Sequence, residues 1–122
     1  MKNIDSYTHV RGESVYLDDI PLQAGTLFAA LFDSPIAHGK IKSLNISEAS
    51  MMPEVVKIFT ARDIPGENQI GGIIKDEELL ADTQVHFCGM PVALVIANTD
   101  AAAKAAVKKI KMEVESLEII TD

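Results

Sequence analysis

Pro91-Val92-Ala93-Leu94-Val95-Ile96-Ala97-Asn98-Thr99-Asp100-Ala101-Ala102-Ala103-Lys104-Ala105-Ala106-Val107-Lys108-Lys109-Ile110 decides the fold class of this chain. Val92–Ala97 is an unbroken apolar run of strand length, and Pro91 suits the first position of a strand. Asn98-Thr99-Asp100 then signals a helix start. Ala103, Ala106, Val107 and Ile110 fall at i, i+3, i+4 and i+7 and make one apolar stripe. The lysines gather toward the C-terminal end, where cations suit the helix dipole. The pattern predicts a deeply buried strand followed by a helix of two turns or more over 99–111, and an α+β chain.

Working outward, Met112-Glu113-Val114-Glu115 alternates and predicts a final, half-exposed strand. Upstream, Val85–Phe87 is a short strand interrupted at Gly89-Met90-Pro91. Residues 67–78 carry the weakest pattern, with Gly71-Gly72 giving flexibility and Asp76-Glu77-Glu78 giving charge. Ala61–Gly66 holds turn signals, Pro65-Gly66 above all. Val55–Thr60 is rich in strand formers. Ser47 is placed to cap a short helix through Met51, which Pro53 stops. His38–Ile46 reads as a strand in which Ile41 and the pair Leu44 and Ile46 lie in opposite phase, so a bulge or sharp twist is predicted near Lys42-Ser43. Asp33-Ser34-Pro35 is a break. Leu27–Phe32 is apolar on both strand faces, as in a strand that is covered twice or faces a partner. Residues 1–11 form a polar lead-in, and residues 12–122 form one domain. The chain stops shortly past the last expected strand, where a domain boundary is expected.

With 122 residues the chain suits a single domain. Its 48% hydrophobic and 24% charged residues exclude disorder. Eleven basic against eighteen acidic side chains leave a net charge of −7, the wrong sign for nucleic acid or an anionic membrane surface. The basic cluster Lys104, Lys108, Lys109 and Lys111 is a solvated helix face. Cys88 is the single cysteine, so no internal disulfide forms, which fits a reducing compartment; with no apolar secretion segment at the N-terminus, a cytoplasmic location is expected.

Candidate chemistry is sparse. His86 and Cys88 are two apart and share a strand face, but nothing supplies an oxyanion site, and a buried strand thiol beside an ordinary histidine is the simpler reading. His9, His38 and His86 lack zinc spacing. Asp18-Asp19 and Asp76-Glu77-Glu78 lie outside any calcium-loop pattern. Gly71-Gly72 is not a phosphate loop. Met51-Met52 reads as core filler. No residue is assigned a catalytic, cofactor-binding or metal-binding role.

Several segments in order resemble one known family. Gly12-Glu13-Ser14-Val15-Tyr16-Leu17-Asp18-Asp19-Ile20-Pro21 resembles the opening of the molybdenum-cofactor-binding chain of xanthine dehydrogenases and aldehyde oxidases. Ser34-Pro35-Ile36-Ala37-His38-Gly39-Lys40-Ile41, then Thr60-Ala61-Arg62-Asp63-Ile64-Pro65-Gly66-Glu67-Asn68, then Val85, Gly89 and Pro91–Ala97 are similar to its next signatures. The likeness covers about residues 10–120. Gly12–Pro21 with Ile64–Asn68 looks more like the xanthine dehydrogenases than the carbon monoxide branch. Ser14, Glu54, Met90, Val114 and Glu118 depart from the usual residues.

The resemblance implies an α/β hammerhead fold, with a mixed or antiparallel sheet, one short helix and one longer one. It implies a non-catalytic structural domain within a parent that hydroxylates purines or aldehydes with water as the oxygen source. For that parent it implies molybdopterin-bound molybdenum, 2Fe-2S clusters and FAD; for this chain it implies no cofactor. The partners it implies are the other molybdenum-cofactor-binding domains and the FAD and iron–sulfur domains or subunits. Leu27–Phe32 and Ile70–Ile74 are the candidate covered surfaces, and self-association of the isolated chain is expected where they lie bare. The rival readings are a free-standing binding or assembly module of the same fold, and a small hydrolase using His86 and Cys88.

Overall fold

The computed structural model describes residues 5–119; the outermost lead-in residues and the boundary at Thr121-Asp122 lie outside the described residues. The elements run α1 (Ser6–Val10), β1 (Phe28–Asp33), β2 (Gly39–Asn45), α2 (Ser47–Ser50), β3 (Val55–Thr60), β4 (Gln84–Val85), β5 (Pro91–Ala97), α3 (Asp100–Val107) and β6 (Lys111–Ser116), with 3-10 turns at Leu17–Asp19 and Ala61–Asp63. The strands form two antiparallel three-stranded sheets, ordered β1-β5-β3 and β4-β2-β6. Two sheets and few helices make up the small α/β arrangement expected, divided where one sheet was anticipated.

The strand–helix unit forms as its residues dictate. β5 is the middle strand of its sheet, and Val92, Ala93, Val95 and Ala97 are fully buried. Thr99 caps α3 by accepting a hydrogen bond from the Ala102 N–H at 3.1 Å. The helix closes at Val107, four residues before the expected end, and Ile110 reaches the core from the turn that follows. Ala106 and Ile110 pack with Ile58, Ala93 and Val95 to make the main core, and Ala102 and Ala103 pack with Ala97 beside it.

Bulges decide which consecutive residues turn inward. The register of β2 against β6 slips between Ile41 and Ser43, leaving Lys42 as the extra residue, as the phase change in the sequence predicts. The slip lets Ile41 and Leu44 pack against the same cluster of Ala81, Val85, Met90 and Val92. A second slip, between Phe32 and Asp33 against β5, passes over Val92. Val92 therefore faces that second cluster while its neighbour Ala93 faces the main core. A third slip in β3 turns Val56 out to solvent.

Some local expectations are corrected. Ser47 is the first residue of α2 rather than its cap; its N–H is held by Asn45 Oδ1 at 3.0 Å. The short strand before Pro91 covers Gln84–Val85, and residues 86–89 turn instead, with Gly89 at φ 90°. Within the lead-in, Ser6–Val10 is helical but buries nothing. Ser34 is the buried polar side chain of the break after β1. Its hydroxyl donates to the Ile36 carbonyl at 2.8 Å, and its backbone bonds to Met90 and Gly89 at 2.9 and 2.8 Å, which locks the two turns together.

Exposed carboxylates tie the elements at the surface. Glu48 of α2 holds Lys109 at 2.7 Å and Lys111 at 3.4 Å, so its carboxyl lies below its ordinary value, chiefly through Lys109. Asp63 is lowered first by the Thr60 backbone N–H and Glu115 first by Lys42. Groups lowered in the folded state add stability that is complete above their ordinary pKa, 4.5 for glutamate and 3.8 for aspartate, and is lost as pH falls through the lowered values. Lys109, raised by Glu48, loses its share only as pH climbs above the ordinary lysine value of 10.5. The thermal midpoint is therefore expected to fall between pH 5 and pH 3, by less in the Glu48→Gln/Asp63→Asn/Glu115→Gln variant, and by less for both proteins in high salt.

Candidate functional site

The three histidines and the thiol were the strongest candidates for chemistry. The structure brings His38, His86 and Cys88 to one shallow groove of about 340 Å³, closed at one side by Ile119. The two imidazoles stack with centroids 6.2 Å apart. His38 Nδ1 lies 2.8 Å from the Glu118 carbonyl, which can only accept, so Nδ1 carries the proton. Its Nε2 then accepts from the Gln84 amide, also at 2.8 Å. Both ring nitrogens are thereby engaged in holding the segment after β6 against β4, and neither is free to act as a base. Cys88 is exposed, not buried, because it sits in the turn rather than on a strand. Among the described residues no hydrogen bond joins its sulfur to an imidazole, so the nucleophile pair is not assembled.

The remaining candidates are occupied by local structure. His9 pairs with the Ser14 hydroxyl at 2.6 Å and stacks on Tyr16. Asp19 accepts from the Tyr16 N–H at 3.0 Å and closes a 3-10 turn. Glu78 accepts from the Asp82 N–H at 3.2 Å. Lys104 pairs with Asp100, and Lys109 and Lys111 with Glu48, so two carboxylates balance half the charge of the four-lysine cluster within the fold. Met52 packs against the main core while Met51 is exposed, so half of that pair is filler.

The molybdenum and pterin group that the resemblance implies for a parent enzyme does not fit the residues described. No three of their His, Cys, Asp and Glu side chains gather to hold a metal. Among them one buried side-chain polar atom lacks a partner, Gln69 Nε2, and it faces the backbone turn at Gly71 rather than any groove. No helix among the described residues is long and apolar enough to cross a membrane.

What the surface does present is apolar. Leu31 is 48% exposed on the outer face of β1, where Leu94 and then Phe59 follow it across the sheet in register. Ile70, Ile73 and Ile74 are exposed at a loop tip. Both belong to the segments singled out from sequence. A third surface was missed: Val15, Tyr16, Leu17, Ile20, Leu22 and Leu27 lie exposed along the arm that leads into β1. The signal was present as six large apolar residues within thirteen positions, but without periodicity to assign them a face. Large exposed apolar surface is characteristic of binding and contact sites.

Residues 11–118 match the family model of the aldehyde oxidase and xanthine dehydrogenase a/b hammerhead domain. The chain is 41% identical to aldehyde oxidase 2 of Macaca fascicularis over 116 residues, which is 95% of this chain and 8% of that protein. It is 38% identical to xanthine dehydrogenase 1 of Arabidopsis thaliana over 118 residues, 97% of this chain and 9% of that protein. These two identities do not separate the two branches. Among solved structures, the aldehyde oxidoreductase from Desulfovibrio gigas superimposes with a TM-score of 0.82 at 34% identity, over 94% of this chain and 14% of that one. With the family model spanning nearly all described residues, and a fold to match, the chain belongs to the aldehyde oxidase and xanthine dehydrogenase family as its a/b hammerhead domain.

Proposed function

We propose that this chain is a non-catalytic structural domain of a larger xanthine-dehydrogenase-like molybdenum hydroxylase, which oxidises purines or aldehydes by hydroxylation with oxygen taken from water. The observation that carries this is the contrast between a closed core, in which the described residues assemble no catalytic group, and an exposed apolar arm, loop and sheet face. Surfaces of that kind belong against other layers of one molecule. Rigid layers hold reacting groups in register, and such positioning is worth several kcal/mol of barrier, up to about 7–11. In this reading the other domains or subunits of the parent hold molybdopterin-bound molybdenum, the 2Fe-2S clusters and FAD. They also cover the apolar surfaces, and the parent works in the cytoplasm, where the exposed thiol of Cys88 stays reduced.

The test is to isolate the native polypeptide that contains these residues and assay it in isotopically labelled water with hypoxanthine and with an aromatic aldehyde. A polypeptide several times heavier than 13.2 kDa, placing labelled oxygen from water in the product, is the expected result. The 122-residue chain assayed alone is expected to give no product. A native polypeptide confined to these residues, or turnover by the chain unaided, would overturn the proposal.

A further inference from the structure

Residues 67–80 show no regular element, yet they are tied together at three levels. Asn68 forms two hydrogen bonds with the backbone of Leu80: its Nδ2 donates to the carbonyl at 2.7 Å, and its Oδ1 accepts from the N–H at 3.1 Å. Above this pin the Ile70 N–H donates to the Glu77 carbonyl at 2.9 Å. Beside it Lys75 Nζ donates to Glu67 at 2.6 Å. The foot is set in the body, because Leu80 and Ala81 are buried and the Ala81 N–H bonds to the Pro91 carbonyl at 2.8 Å. At the top Gly71 lies so close to Ile74 that a Cβ there would stand 2.0 Å from the Ile74 carbonyl oxygen. The loop is therefore a compact, self-bonded unit whose two ends meet.

Its side chains are arranged against the usual preference. Ile73 is 99% exposed and Ile74 68%, while the polar Asn68 and Gln69 are turned inward. A loop that closes on itself through Asn68 and shows β-branched apolar side chains to water is shaped to fit another surface. Both isoleucines have stiff side chains, and the backbone is pinned, so little freedom is lost when they are covered.

We infer that the pinned loop 68–80 is a preformed plug that seats Ile73 and Ile74 in an apolar pocket, rimmed by basic side chains, on another part of the same parent protein. This rests on the proposed function above. Two observations fix the occupant. The chain spans 8–9% of the two relatives compared above, so most of the molecule that could cover the loop lies outside these residues. Along residues 67–78 Lys75 is the single cation and is paired with Glu67, while Asp76, Glu77 and Glu78 add further negative charge, so a receiving pocket with Lys or Arg at its rim is favoured over a second copy of this acidic chain.

Peptide-level hydrogen exchange, run on the parent protein and on the 122-residue chain, tests this. Amides of residues 70–76 are expected to exchange at least tenfold more slowly in the parent. The Ile73→Asp/Ile74→Asp variant is expected to lose that protection and lower the thermal midpoint of the parent, while leaving the midpoint of the 122-residue chain unchanged. Equal loop exchange in both proteins, with slowing in the arm at residues 15–27, overturns the plug and leaves the domain reading standing. Absence of slowing in arm and loop alike overturns both. Loop protection that grows with the concentration of the 122-residue chain and matches that of the parent places a second copy in the pocket's role and overturns the assignment.

Discussion

Replacing Val95 with aspartate is expected to leave the chain without a native fold. Val95 is fully buried at the centre of β5, pairs with Ala30 on one side and Ile58 on the other, and packs with Ala93, Ala106 and Ile110. That cluster offers no cation and no hydrogen-bond donor to a carboxylate. Burying an unpaired charge there costs more than about 4 kcal/mol, against a total stability of about 5–15 kcal/mol for a domain of this kind. The matching control is Val56→Asp. Val56 is the extra residue of the bulge in β3, is 54% exposed, and should cost less than about 1 kcal/mol. Far-ultraviolet circular dichroism with urea titration separates the two. A cooperative transition for Val95→Asp near the wild-type midpoint would contradict the placement of β5 in the core.

Gly39→Val should produce the next largest loss. Gly39 stands in β2, paired with Val85 of β4 and with Ser116 of β6. A Cβ at this position would lie 2.4 Å from Val114 Cγ1 and 2.9 Å from the Glu115 carbonyl oxygen. The methyl of Val114 can rotate away. The carbonyl cannot, because it belongs to the neighbouring strand, so β6 must move. Overpacking of this kind costs about 1–3 kcal/mol, and the backbone contact puts valine at the upper end. Gly72→Ala is the contrasting change, since no heavy atom lies within 4 Å of the added Cβ; it should be neutral or stabilise by up to ~1 kcal/mol through the unfolded chain. Equal denaturation midpoints for Gly39→Val and the wild type would show that β2 and β6 are not in the register described.

Both changes act on the frame that carries the proposed contact surfaces, so both should also loosen the loop at 68–80 indirectly. Its foot, Leu80 and Ala81, is held at the start of β5, and Ala81 packs with Val85 and Val92. Two of the three exposed apolar features share one origin: each is fixed from beneath and left bare above. Leu31 is held by the pairing of β1 with β5 and the loop by Asn68 and Leu80, whereas the arm at 15–27 is exposed along its whole length.

How much of this was legible in the residues differs by element. The strand 91–97, the helix start at Thr99, the strand Val55–Thr60 and the bulge at Lys42 follow from local spacing, because period and phase are properties of neighbouring residues. The family followed from the order of several short signatures. The exposed isoleucines at 70–74 were visible as apolar residues in a segment with no pattern. Tertiary structure alone decided that the strands divide into two sheets, that Val92 and Ala93 face different clusters, and that Cys88 lies in an exposed turn. It alone decided that Asn68 grips Leu80 across twelve positions and that His38 reaches Glu118 across eighty. Periodicity tells which side of an element avoids water. Which other side it meets is set by contacts between residues far apart in the chain, and these become favourable only once the whole core closes.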